Sequence, residues 1–177
     1  MSTSISLSKL DVAKRQLEHS VRLLLGSGDP TILHLIICSC QELLRGLCKE
    51  QGVKVFIDHM MESIKPEKRK EVTVAIKGPY NFMKHADRDP ANIIKFYPES
   101  NEYAIWDCIS MYQSLTGEVT GLMMAYRGWF FSSKPELLVD EKLQAQFSDL
   151  GKSVDPQNKR AFLDLASQLE NIRVGVK

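Results

Sequence analysis

Apolar residues recur along this chain at three- and four-residue steps, the period of an α-helix with one buried face. Leu10, Ala13, Leu17, Val21 and Leu24 define the first such face. "GSGDP" then stops that helix and opens another, with glycines to end it, Asp29 to cap and Pro30 at the first helical position. The second helix spans about residues 30–51. Its first half, "TILHLIICSC", is apolar on nearly all sides, which predicts a central helix covered by several neighbours. Its second half, "QELLRGLCKEQG", is amphipathic. A third helix is predicted in "VKVFIDHMMESI", on the face made by Phe56, Met60 and Ile64.

Pro66 and Glu67 start a fourth helix carrying Val72, Ala75 and Ile76. Gly78 and Pro79 predict a kink or break, because proline removes a backbone donor and clashes with the preceding turn. A short helix over 79–85 and a polar turn, "ADRDP", should follow. A helix over about 99–115 has Ile105, Cys108, Ile109 and Tyr112 as its core face and Gly117 as its stop. Val119, Leu122, Met123, Tyr126 and Phe130 continue the pattern. "SKPE" at 133–136 reads as a capping box before another helix. Asp155 and Pro156 repeat the Asp-Pro start, and a last helix carries Phe162, Leu165, Leu169 and Ile172.

The pattern is helical nearly everywhere, with strand-like residues at the start of "VKVFIDHMMESI", so the fold class is all-α. Short loops favour an antiparallel helical bundle. The bundle should occupy residues 1–150. "QFSDLGKSVDPQNKR", 146–160, is the most polar late linker, so 151–177 form a C-terminal helix that packs on the bundle or stands off as an appended arm.

Composition narrows the function classes. The 177 residues are 44% hydrophobic and 25% charged, as in a soluble globular domain. The net charge of +1 does not predict a nucleic-acid or membrane surface over the whole molecule and leaves room for a local basic patch. Cys38, Cys40, Cys48 and Cys108 include no CxxC pair, so they read as buried thiols of a reducing, cytoplasmic protein. The start, "MSTSISLSKL", is not a secretory signal, and "ILHLIICSC" is too short to span a bilayer. No motif calls for a cofactor. "GSG" at 26–28 lacks the strand before it and the Lys-Ser/Thr after it that a phosphate loop needs.

The densest polar chemistry lies in "NFMKHADRDP". His85 can exchange a proton near neutral pH. Arg88 can hold a phosphate or carboxylate, and Asp87 and Asp89 supply carboxylates. Tyr80 and Asn81 lie one turn before His85, and Lys84 adds a cation. His85, Asn81 and Arg88 are therefore the catalytic candidates, and Tyr80, Lys84, Asp87 and Asp89 the binding candidates. The same residues also make a sound turn, with aspartates accepting backbone bonds and His85 at a helix end. His19 and His34 read as surface or locally bonded groups. A metal reading would use His85 with Asp87 or Asp89, or gather His34, His59, His85 and Asp87 from separate segments. Trp106, Tyr126, Trp129, Phe130 and Phe131 read as core or dimer interface. Three consecutive aromatics cannot all face one core, so a self-association surface is expected there.

"GDPTILHLIICSCQELLRGLCKEQG", "NFMKHADRDP" and "NEYAIWDCISMYQSLTG" resemble a group of small uncharacterised bacterial helical proteins, over about residues 9–117. More distantly, the chain resembles the HEPN superfamily of helical bundles, which includes RNases and nucleotide-binding proteins of toxin and phage-defence systems. Those RNases carry Arg-x4-6-His at a helix, often with Asn after the Arg. Asn81 and His85 keep that spacing, whereas Tyr80 stands at the Arg position and supplies no guanidinium for a scissile phosphate.

Three functions are expected in this order. The first is a non-enzymatic or regulatory bacterial helical protein acting through self-association or a protein partner. The second is a HEPN-like RNase or nucleotide-binding protein. The third is a metal-dependent enzyme built on His85 and Asp87 or Asp89.

Overall fold

The computed structural model describes residues 4–85, 87 and 90–169. Those residues form eight α-helices, one 3-10 turn and no strand. α1 is Lys9–Leu25 and α2 is Pro30–Glu50. Ser8 caps α1 by accepting from the Asp11 amide (3.0 Å), while the Asp11 carboxylate accepts from the Ser8 amide (2.9 Å). Asp29 caps α2 by accepting from Thr31 and Ile32 (2.7 and 3.1 Å). α3 is Phe56–Glu62, α4 is Pro66–Lys84, α5 is Ser100–Thr116 and α6 is Gly121–Ser133. Gly117 ends α5 in the left-handed conformation (φ 71°), where a side chain would be strained. α7 is Glu141–Ser153 and α8 is Lys159–Leu169.

The core joins Leu17, Val21 and Leu25 of α1 to Leu33, Ile37 and Leu44 of α2, Ile105 and Ile109 of α5, and Met123, Tyr126 and Trp129 of α6. Phe162 and Ala166 bring α8 into the same cluster, against α6 and α1. α1 and α2 run antiparallel: Cys40 Sγ reaches the Ala13 carbonyl (3.3 Å) and Gln16 reaches Ser39 (3.1 Å). α2 and α5 run parallel, which short-loop reasoning does not anticipate. Asn101 sits beside Pro30 and His34, and Asp107 beside Gln41 and Arg45. The reason is the long excursion between them, which leaves through α3 and α4 and returns along the extended segment 92–97 to the start of α2.

Several expectations change. α2 is long and apolar enough to cross a membrane by length and composition, but here it packs against α1 and α5. As its sequence predicts, the first half is covered by several neighbours, since no residue from Leu33 to Gln41 is exposed, but the cover is uneven: Ile37 is inaccessible, Ile36 is half-buried and Ile32, in the first turn, is exposed. α4 is not broken at Gly78-Pro79. Pro79 leaves the Ala75 carbonyl without its helical partner, and the helix nonetheless runs on to Lys84, with Ala75 on the exposed side. "SKPE" opens only a 3-10 turn, Pro135–Leu137, because no Glu side chain returns to a cap. The supposed linker 146–160 is helical through Ser153, and Asp155 bonds the Gln157 amide (2.9 Å) in a turn before α8. Trp129 and Phe130 are buried, and Phe131 packs on Phe147 of α7 (5.3 Å), so the third ring is covered from within the chain. Ile172 lies outside the described residues.

α3 and α4 stand apart from this core. α3 has no buried residue and α4 has only Tyr80. They form an outer layer over one side of α2 and α5, and the two recesses that follow lie along and beneath that layer.

Candidate functional site

Lys77 and Asn81 lie one turn apart on one face of α4, and His85, the C-cap residue, follows one turn later. That face borders an open cleft of about 660 Å³, closed on its other side by Asn92, Ile94 and Lys95 of the returning segment. Phe82 also lines it and is partly exposed. The surroundings are basic: between Lys65 and Lys84 there are six Lys or Arg and two Glu, against a net +1 for the whole chain. Of the Lys and Arg residues, Lys77 and Lys95 line the cleft itself.

The structure divides the sequence candidates. Asn81 and His85 enter the cleft. Tyr80 does not; it is buried at 7% exposure, with the Lys84 ammonium over its ring at 4.7 Å. Lys84 and Lys77 each approach Glu42 of α2 at 4.0 Å. Asp87 is exposed, and its carboxylate is 3.9 Å from His85 Nδ1, too far for a hydrogen bond. Arg88 and Asp89 lie outside the described residues. Lys77, not Tyr80, lines the cleft with Asn81 and His85: Lys77 is one turn before Asn81 on the same face, whereas Tyr80, adjacent to Asn81, points elsewhere.

No protein-family model, curated protein or solved structure matches this chain.

A second recess, about 390 Å³, lies between α2, α3, α4 and α5 and adjoins the cleft through Ala75, Pro79 and Lys95. Its floor is a polar stripe on α2: His34, Cys38, Gln41 and Arg45. Sequence reading passed over this stripe. Its signal was present, since steps of four, three and four set these polar residues on one side of a strongly apolar helix. His34 is not a surface group, and its bonding is only partly local. It is 5% exposed, and its Nδ1 is 2.7 Å from Asn101 Oδ1 on α5. Asn101 Nδ2 donates to the Pro30 carbonyl (2.9 Å), which orients the amide and makes Oδ1 the acceptor. His34 therefore carries its proton on Nδ1 and leaves Nε2 to accept from the Cys38 thiol (3.5 Å).

Burial lowers the pKa of His34, opposed by its bond to Asn101. Burial also pushes the Cys38 thiol up to about 12, with a small opposing pull from Arg45. The Cys38–His34–Asn101 chain is thus neutral, a polar wall with no preformed thiolate nucleophile. Beside it, Asp107 Oδ2 accepts from Gln41 (2.8 Å) and Arg45 (3.3 Å), and Arg45 Nε is buried without a hydrogen-bond partner. Among the described residues no three His, Cys, Asp or Glu side chains are grouped to hold a metal, so His34 and His59 do not join the neighbouring His85 and Asp87.

The depressed pKa of His34 sets a pH dependence. The unfolded state binds the proton more readily, so this contribution to stability is full above the ordinary histidine value of 6.5 and is lost as pH falls below it. Urea unfolding at pH 7.5 and 5.5 should show wild type weakened at the lower pH. His34→Gln, which cannot titrate, should lose that part of the difference. An equal pH response in both proteins would show that His34 does not govern it.

Proposed function

We propose that this protein is a non-enzymatic regulatory helical protein that binds a phosphate-bearing ligand, a nucleotide or RNA, in the cleft beside α4. The observation that carries the reading is the succession of Lys77, Asn81 and the C-cap residue His85 at one-turn steps along α4, opposite Lys95, around an open cleft. The lysines suit phosphate oxygens, and the amides of Asn81 and Asn92 suit ribose or base edges. Exposed Phe82 supplies a stacking surface. The cleft volume falls within the range of about 300–1,000 Å³ usual for ligand sites. Binding rather than cleavage is favoured because Tyr80 holds the position of the HEPN arginine and points away from the cleft.

Fluorescence anisotropy with labelled single-stranded RNA, competed by unlabelled nucleotides, tests this directly. Wild type should bind, with affinity falling as salt rises. The Lys77→Ala/Lys95→Ala double variant should bind about tenfold more weakly, a loss of about 1.4 kcal/mol, with an unchanged melt. Absence of binding by wild type, or equal binding by the double variant, would overturn the proposal. RNA cleavage that disappears in a folded His85→Ala variant would replace it with the RNase reading.

A further inference from the structure

We infer that the recess between α2, α3, α4 and α5 receives a second copy of this chain, which inserts the exposed loop that follows its 3-10 turn, so that copies associate head to tail. The inference stands apart from the phosphate reading of the neighbouring cleft.

The loop is an apolar patch on an acidic segment. Trp129, Phe130 and Phe131 are covered within the chain, but the apolar residues just after them are not. Val139, between the 3-10 turn and α7, is 99% exposed, and Leu137 and Leu143 are exposed beside it. A single exposed apolar residue is ordinary, but three within seven positions form a patch. Glu136, Asp140 and Glu141 set three carboxylates against one cation, Lys142, since Lys134 is held by Glu102 (2.6 Å).

The recess has the complementary character. Phe56, Ile76, Tyr97 and Tyr103 line it and are exposed, Tyr97 at 67%. They serve no core there, because α3 has no buried residue and α4 has one. Of the Lys, Arg, Asp and Glu side chains in the lining, Arg45 and Asp107 pair with each other (3.3 Å), which leaves Lys95. An aliphatic, acidic loop therefore matches an apolar recess whose remaining charge is a cation, and a single copy covers neither. The chain does not make the contact with itself: the 3-10 turn and α7 pack on α6, whereas α2, α3, α4 and α5 wall the recess. Because the two surfaces differ, each copy offers its loop to one neighbour and its recess to another.

Sedimentation velocity of the full chain over a concentration series tests the assignment. Wild type should associate, and less so as salt rises. Val139→Asp and Ile76→Glu, both at exposed positions, should each weaken association about tenfold or more with an unchanged melt. Neither residue lines the phosphate cleft, so the two readings are tested separately. Tyr97→Glu, on the returning segment, repeats the recess test should Ile76→Glu fail to fold. The decisive sample mixes the two variants. The Val139→Asp protein keeps an intact recess and the Ile76→Glu protein an intact loop, so the mixture should form a dimer at a concentration where each alone is monomeric. A wild type that stays monomeric up to about 1 mM would overturn the proposal. So would a mixture that stays monomeric, or association that Val139→Asp abolishes and both recess variants leave untouched, since that is a loop-to-loop contact.

Discussion

Ile37→Asp is expected to abolish cooperative folding, whereas Ile36→Asp should leave a folded protein with reduced stability. The two residues are neighbours on α2 with different surroundings. Ile37 is inaccessible, at the junction of α2 with α1 and α5, while Ile36 is half-buried. A carboxylate at 37 would be taken out of water with no cation beside it, at a cost of several kcal/mol on top of the lost apolar burial. That is comparable to the whole net stability of a domain, roughly 5–15 kcal/mol. At 36 the same carboxylate can turn toward solvent, so the cost is held to about 1–2 kcal/mol. Circular dichroism melts and urea titrations of the two variants would show the contrast. Matching losses would mean that α2 is buried on all sides, as its composition alone suggests.

Glu102→Ala should cost about 3 kcal/mol, well beyond a surface ion pair. Glu102 is 9% exposed in the first turn of α5 and joins three elements. Its carboxylate lies 2.6 Å from Lys134 Nζ and 3.7 Å from Lys159 Nζ. Both ammonium groups also sit over Trp129, at 5.4 and 4.6 Å, and Lys134 lies 5.2 Å from the Phe130 ring. The Tyr126 hydroxyl donates to the Glu102 carbonyl, fixing the backbone that carries the carboxylate. Removing the anion leaves two cations against aromatic faces with no countercharge. The loss stays below the 3–5 kcal/mol upper range because both lysines retain some access to water. Denaturant unfolding of Glu102→Ala and Glu102→Gln would measure it. A change below about 0.5 kcal/mol in the Ala variant would show that the cluster does not brace α5 against α6 and α8.

Much of the secondary structure was legible because helix signals are local. Asp29-Pro30, Gly117 and the three- and four-residue apolar steps each act within one or two turns of chain. Two expectations depended on tertiary circumstance. Gly78 and Pro79 do not break α4, which runs on to Lys84. Trp129 and Phe130 are buried and Phe131 packs on Phe147 of α7, a contact within the chain that the helical spacing does not show. The candidate site was half legible. Asn81 and His85 were singled out correctly as neighbours, but Lys77 and Lys95 belong to their cleft and Tyr80 does not.

The sequence by itself determined that the chain is all helical, where most helices begin and end, and which faces of α1, α5 and α6 are apolar. Helical period and capping depend on residues a few positions apart, so a linear reading contains them. Only the tertiary structure decided that α5 runs parallel to α2. It also decided that His34 meets Asn101, that Asp107 meets Gln41 and Arg45, and that Lys95 returns to face Lys77. The His34 and Asp107 contacts join residues more than sixty positions apart in sequence. They exist because the α3–α4 excursion brings the chain back to the start of α2. The sequence shows that excursion's helices but not where it returns, which depends on the packing of α5 against α2.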